Sequence, residues 1–521
     1  MITLLVFQSL NTLLQININT LFSIHADMKL KLAVELKFSG DITETKDSID
    51  SLLKEFNKKL DKEKVNIQEW FTNKNNLFLT ITSEGKKRAH EVLLQLRKTL
   101  SEHLGREYHV GVRDVKAKRY EITFEVEKKP LHKVNVPFAN VSINGRETQV
   151  ILETVDEEFL SKNYVDRIIK RVKEKIDAQY YEGKKEYWQL LWKSQPKEPM
   201  WNKDPSEEMQ RLGWIVLLGK GKWFYRPPAA AIMRAMEKIA LENIVHPLGF
   251  TEVIEPMHVS FETWLKTGHL EGMPGEIYYI CEPKSRDPKE WERFIDLVKI
   301  TKEVPAEELV KNLKPPRDGV VYAQCPNIYA SMRGKTIAEE SLPLLLFEHY
   351  VPSNRYESGG KHGIERVDEF HRIEIVYIGR KEQLVDIRDQ LIERYKHVFN
   401  NILELEWRMA KVTPFYMQQA GIVGNEEEKS KGTIDFEAWL PYRGDRNKEW
   451  LEFQNISIVG DKYTKAFNIK GQKSELWSGC SGIGLERWMV SFLAQKGLNP
   501  DNWPKGFKKY LPTLPEIPRF L

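Results

Sequence analysis

Cysteine is scarce: a chain of 521 residues holds three, Cys281, Cys325 and Cys480, odd in number and far apart. That excludes a disulfide framework, points to a reducing compartment, and leaves the thiols free or available to a metal. Long apolar runs are missing as well. No stretch approaches the roughly 20 residues that a membrane-crossing helix needs, so no membrane partner is expected and the expected location is cytoplasmic. A large charge excess is also lacking: the formal net charge is +4 although 30% of residues are charged. Contact with a nucleic acid would therefore have to come from local basic patches. Aromatic residues, at 11%, and ample apolar content exclude disorder over most of the chain. The length exceeds what one core holds, so two or three domains are expected.

Residues 1–27 are apolar but have no Lys or Arg ahead of Met1-Ile-Thr-Leu-Leu-Val, and Gln8, Asn11, Gln15, Asn17 and Asn19 interrupt them. They suit neither a signal peptide nor a membrane span and are expected to be an upstream extension, with the functional start at Met28. From there the patterning sharpens. Leu30, Leu32, Val34, Leu36 and Phe38 alternate with polar residues as in a half-buried strand, and Ile49, Leu52, Leu53, Phe56 and Leu60 recur at helical spacing. Leu77–Thr82 predicts a strand, Ala89, Val92, Leu93, Leu96 and Leu100 a helix, and Tyr120–Val126 a strand again. Residues 28–184 thus read as a mixed α/β domain, a small sheet with helices on one side. Basic clusters at Lys86–Arg88, Arg97–Lys98, Lys116–Arg119 and Lys128–Lys129, and on a helix expected over Asp156–Asp177, make it a candidate RNA-binding face. Interspersed acids leave a solvated charge face as the bland alternative.

Residues 185–521 read as a second domain. Tyr187–Arg226, with prolines in Gln195-Pro-Lys-Glu-Pro-Met-Trp201, is expected to be a linker. A helix from Ala229 to about Val245 precedes Gly249-Phe-Thr-Glu-Val-Ile-Glu-Pro256. Two further segments carry chemistry: Asn354-Arg-Tyr-Glu-Ser358 running on to Asp368-Glu-Phe-His-Arg-Ile-Glu374, and Ser478-Gly-Cys-Ser-Gly-Ile-Gly-Leu-Glu-Arg487. Nucleotidyl transfer is largely positioning plus neutralisation of developing charge, which calls for fixed guanidinium forks such as Arg355 and Arg487. Gly482 and Gly484 allow backbone and ligand to approach closely.

These segments resemble motifs 2 and 3 of class II aminoacyl-tRNA synthetases, and Gly249–Pro256 with its helix resembles motif 1. The resemblance implies an α+β fold with an antiparallel-sheet catalytic core, a homodimer built on motif 1, and activation of an amino acid by ATP with Mg2+. It gives Arg355 and Arg487 the catalytic phosphate contacts. Tyr356, Glu357, Arg366, Val367 and Phe370 would bind the nucleotide, Glu357 at the adenine amino group and Phe370 by stacking. Trp450-Leu-Glu-Phe-Gln-Asn-Ile-Ser457 resembles the seryl enzymes, where Glu452 would hold Mg2+ with ATP and Asn455 would lie near serine.

Cys325, in Ala323-Gln-Cys-Pro-Asn, and Cys480 are expected at strand ends, with Glu374 closing motif 2. The constellation resembles the type-2 seryl-tRNA synthetases of methanogenic archaea. That implies one Zn2+ per subunit on Cys325, Glu374 and Cys480, taking the amino group of serine. Ala323, Arg355, Arg372, Ile373, Glu374 and Asn455 would line the serine pocket. A helical insertion at about 285–318 would order serine, and the N-terminal domain would hold tRNA(Ser), with tRNA(Sec) as a second acceptor. Cys281 has no assigned role. Two alternatives stay open: a threonyl-type enzyme, whose zinc would call for histidine ligands, and a noncatalytic RNA-binding paralogue, which would have lost a phosphate arginine or a motif glycine.

Overall fold

The computed structural model describes residues 28–180, 188–356, 362–412, 432–448 and 450–518; the expected extension at 1–27 lies outside the described residues. The chain divides into two compact units, Met1–Lys185 and Glu186–Leu521.

In the first unit the alternating segment forms β1 (Lys29–Phe38), with Leu30, Leu32, Val34, Leu36 and Phe38 buried and the lysines turned out. It joins β2 (Val65–Asn73), β3 (Asn76–Ser83), β4 (Val112–Glu125), β5 (Asn140–Asn144) and β6 (Glu147–Asp156) in a 6-stranded antiparallel sheet ordered β2-β3-β1-β4-β6-β5. Helices α1 (Lys46–Leu60) and α2 (Ala89–Tyr108) bury Ile49, Leu53, Val92 and Leu96 in the core they share with the sheet. The helix expected over Asp156–Asp177 is two, α3 (Glu157–Ser161) and α4 (Tyr164–Ala178). Asn163 between them takes a left-handed φ of 55°, which a continuous helix forbids.

The second unit is built on an 8-stranded sheet: β7 (Trp188–Lys193), β8 (Thr251–Glu252), β9 (Leu344–Glu348), β10 (Arg372–Gly379), β11 (Trp407–Val412), β12 (Gly432–Ala438), β13 (Leu451–Gly460) and β14 (Trp477–Gly484). Its order is β8-β9-β10-β14-β13-β12-β11-β7, antiparallel except for the short β8–β9 pair. Helices α5 (Pro227–Ala240), α6 (Lys381–His397) and α7 (Leu485–Lys496) close a core that contains Met236, Leu391, Phe399, Trp407, Phe436 and Trp488. This is the α+β architecture expected of a class II core.

The expected linker is largely structured. Trp188–Lys193 is an edge strand of the 8-stranded sheet, paired with β11, and Pro205–Arg211 is helical. Ile215–Gly219 and Lys222–Tyr225 form a hairpin. The prolines suppress regular structure only between these elements. The helical insertion consists of Glu292–Thr301 and Ala306–Lys311, rooted on a small sheet of His258–Ser260, Asp318–Val320 and Tyr279–Ile280, and it buries no residue of its own. Among the described residues, no helix is long and apolar enough to cross a membrane.

Trp407, wholly buried, stacks on Phe436 and donates its indole N–H to Asn400 at 2.9 Å. Trp407→Ala is expected to destabilise the second unit by about 3–5 kcal/mol, read as a lower midpoint of its denaturant unfolding transition while the transition of the first unit stays in place.

Candidate active site

A cavity opens between the motif 2 hairpin and the strands β13 and β14, and seven sequence-predicted side chains converge on it beside Arg355: Arg366, Val367, Phe370, Arg372, Glu452, Asn455 and Arg487. Arg355 leads out of the short strand Ser353–Asn354, which pairs with Glu369–Phe370, and its backbone N–H donates to Asp368 at 2.8 Å. Arg487 sits in the first turn of α7, where the chain turns from strand to helix. Its Nη1 donates to the Glu452 carbonyl at 2.8 Å and to the carboxylate at 3.3 Å, and its Nε donates to the Glu365 carbonyl at 3.1 Å. Asn455 donates to the other oxygen of Glu452 at 3.1 Å. A carboxylate and a guanidinium are thus held side by side at one end of the cavity, suited to a phosphate chain and its divalent cation.

Next to the cavity lies a buried cluster. The sulfurs of Cys325 and Cys480 and a carboxylate oxygen of Glu374 all lie within 4.8 Å of one another. Cys325 opens the helix Cys325–Ser331 and Cys480 lies inside β14, so neither stands at a strand end as expected. The contact with Cys480, burial, and repulsion from Cys480 and Glu374 raise the Cys325 thiol well above its usual range. Burial also pushes the Glu374 carboxyl up, against the pull of Arg372. Two soft donors and one hard donor, mutually repelling once ionised, with Cys325 and Glu374 buried and Cys480 partly so, form a site that a cation would stabilise. Two thiols and a carboxylate are a donor set that could hold a metal ion.

Arg372 links cluster and cavity. Its Nη2 bonds the Glu374 carboxylate and its Nη1 donates to the Tyr322 carbonyl at 3.3 Å. Its Nε is buried with no protein partner, a donor left for a ligand. Gly482 makes the room, because a Cβ there would come within 2.7 Å of Nη2. At Gly484 the nearest contact would be an ordinary 3.8 Å, so close approach explains Gly482 better than Gly484.

Other predicted residues fall outside the cavity lining. Ile373 alternates with Arg372 and Glu374 and buries its side chain in the core behind the sheet. Ala323 packs at the edge of a cluster with Trp264 and Tyr322. Tyr356 is 44% exposed, its ring edge-on to Tyr278. Glu357 and residues 358–361 of the motif 2 loop lie outside the described residues. The helical insertion contributes nothing to the lining.

Two residues passed over by the sequence reading organise the rest. Glu365 lines the cavity, fully buried in its side chain, and takes Arg443 and the Tyr442 hydroxyl. Glu486, before Arg487, accepts from the His371 backbone N–H at 2.9 Å and from its ring at 2.8 Å, tying motif 3 to motif 2. Only their place inside the motifs could have flagged them.

A family model described as a tRNA-binding domain matches residues 28–174, and one described as the tRNA synthetase class II core domain (G, H, P, S and T) matches residues 320–496. A protein of Methanococcoides burtonii named type-2 serine–tRNA ligase is 44% identical over 504 residues, spanning 95% of this chain and 100% of its own. One of the same name from Methanothrix thermoacetophila is 42% identical over 510 residues, again spanning 95% and 100%. The crystal structure of A. aeolicus tRNASec in complex with M. kandleri SerRS superposes with a TM-score of 0.83 at 30% identity, covering 95% of this chain and 99% of that one.

Burial lowers the affinity of His371 for its proton, but the bond and charge of Glu486 outweigh it, and the pKa ends up raised. A raised folded-state pKa contributes stability that is fully present below the unfolded value of about 6.5 and is lost as pH rises through the folded value. The stability difference between wild type and His371→Gln, from denaturant midpoints, is therefore expected to be largest below the unfolded value of about 6.5 and to shrink as pH rises above it.

Proposed function

The chain belongs to the type-2 serine–tRNA ligases, with the class II core, and we propose that it activates L-serine with ATP and passes it to tRNA(Ser) through a seryl-adenylate. The observation that carries this reading is the convergence of Arg355, Arg372 and Arg487 on one cavity bordered by the Cys325–Glu374–Cys480 cluster. Serine carboxylate attacks the α-phosphorus in line and pyrophosphate leaves. Arg355 neutralises charge on the α-phosphate and Arg487 on the terminal phosphates, while Glu452 holds Mg2+ with ATP. Phe370 stacks on adenine, Arg366 and Val367 flank the nucleotide, Tyr356 supports it, and Glu357 takes the adenine amino group. A terminal ribose hydroxyl of the tRNA then attacks the seryl carbonyl, AMP leaves, and the hydroxyl proton passes to the phosphate of the departing AMP.

Cys325, Glu374 and Cys480 would hold one Zn2+ per subunit, which when bound supplies a Lewis-acidic contact for the serine amino group. Arg372 offers the amino acid its Nε, which has no protein partner, and Asn455 supplies a polar contact. The cluster contains no histidine, in line with a seryl enzyme rather than a threonyl one. Arg355, Gly482, Gly484 and Arg487 are all in place, which favours catalysis over a noncatalytic RNA-binding role. The first unit, residues 28–184, would hold the tRNA. The complex formed by the M. kandleri relative supports tRNA(Sec) as a further acceptor. Motif 1, with Ile254 71% exposed, would build the homodimer.

Serine-dependent ATP/pyrophosphate exchange is expected in the wild type and a loss of about 10²-fold or more in Arg355→Ala and Arg487→Ala; exchange at the wild-type rate in both would refute these roles. Metal analysis of the purified protein is expected to give one zinc per chain, and a clear loss in Cys325→Ser.

A further inference from the structure

Arg355 does not stand alone. Its Nε bonds the carboxylate of Glu276, a residue in the short turn Pro274–Glu276, far from every motif in sequence. The side chain of Glu276 is 12% exposed, and among the described residues no other carboxylate is bonded to Arg355. The backbone of Glu276 adds a second tie, its carbonyl accepting the N–H of Tyr356 at 2.9 Å. Both ends of Glu276 are therefore spent on consecutive residues of motif 2.

The turn carrying Glu276 is itself rigidly seated. Ile277 is buried in a cluster with Trp264, Val321, Tyr322 and Val351. Packing against Gly319 is so close that a Cβ there would lie 2.4 Å from Trp264 and 2.6 Å from Ile277. Tyr278 continues the strap: its hydroxyl bonds Asp368, on the opposite strand of the motif 2 ribbon, and its carbonyl accepts the N–H of Val320 at 2.8 Å. One segment, residues 276–278, thus grips both strands of the ribbon, by a carboxylate on one and a hydroxyl on the other.

A guanidinium offers its donors in a fixed planar fork, so a carboxylate on the Nε edge sets the plane and the direction of the remaining N–H groups. We propose that Glu276 is the positioning residue of Arg355, occupying the Nε edge so that the Nη groups face the cavity in the orientation that an α-phosphate requires. This rests on the nucleotide reading of the cavity. It differs from a competing role in which Glu276 merely fills the anion site until substrate displaces it. A competitor gains nothing from a carbonyl tie to Tyr356, and its removal would strengthen substrate binding rather than weaken it. The proposal also gives the strap a function, since seating it is what places the carboxylate.

The test compares Glu276→Ala, Glu276→Gln, Arg355→Ala and the Glu276→Ala/Arg355→Ala double variant by ATP/pyrophosphate exchange with serine, and by calorimetric titration with ATP alone. Misplacing the arginine should lower kcat/KM for exchange about 10²-fold in Glu276→Ala. ATP binding should weaken about tenfold. Glutamine keeps an oxygen on Nε and should recover exchange to within about tenfold of wild type. If Glu276 acts through Arg355, adding Glu276→Ala to Arg355→Ala costs nothing further, whereas a general loss of folding would multiply. Unchanged or tighter ATP binding in Glu276→Ala, or losses that multiply, overturns the proposal. A wild type that binds ATP in a Glu276-dependent way yet shows no exchange overturns the ligase reading and leaves the role of Glu276 standing.

Discussion

The buried carboxylate of Glu374 is the constraint around which this site is arranged. It is 1% exposed, bonds Arg372 on one side and shares a small space with two thiols on the other. A lone buried ion costs several kcal/mol, so such a group must be answered by charge or must stay protonated. Arg372 answers it in part. A cation between the sulfurs and the carboxylate would complete the balance and relieve the repulsion that raises the Cys325 thiol. Because Arg372 also lines the cavity, the proposed metal centre and the place where serine would sit draw on the same guanidinium. A change at either is felt at the other.

The same device recurs around the cavity. Arg355 arrives with Glu276, Arg372 with Glu374 and Arg487 with Glu452. Converging guanidinium groups repel one another, and a carboxylate on each both lowers that repulsion and fixes the fork. Arg372 keeps one buried donor, Nε, without a protein partner. The acids come from separate places: a turn before the helical insertion, two residues further along the same strand, and strand β13. What the pairs share is that the acid is held by something other than the arginine. Glu276 is held through its backbone, Glu374 by its strand, and Glu452 by its strand and Asn455.

Periodicity made β1, α1 and α2 legible in the sequence, since each buries one clean face. The motif arginines were legible because they are local: Arg487 follows Gly484 by one turn of chain, and Arg355 and Arg372 bracket one hairpin. Glu276 was not, because what selects it is a tertiary meeting with Arg355 and no pattern in its own neighbourhood. Strand β7 was hidden by the prolines downstream of it, and its worth as an edge strand depends on β11, more than 200 residues later. Cys325 was named correctly as a member of the cluster but placed on the wrong kind of element: Pro326 at the first turn starts a helix there. The helical insertion was expected from the resemblance, but that none of its residues joins the cavity lining is a tertiary fact that its own sequence does not carry.

Register turns these local features into a site. Across the β10–β14 pair, Arg372 stands opposite Gly484 and Glu374 opposite Gly482, while Cys480 stands opposite Val376 and, on the other side, Ser457 of β13. Side chains alternate faces along a strand, so Arg372 and Glu374 face the cavity while Ile373 and Ile375 enter the core. A slip of one residue would turn both charges into the apolar interior and expose two isoleucines. The core packed behind the sheet by α6 and α7 therefore selects, at the same stroke, the alignment that sets Gly482 and Gly484 opposite the two charged side chains. Specification of the chemistry and specification of the fold are carried by the same strand pair.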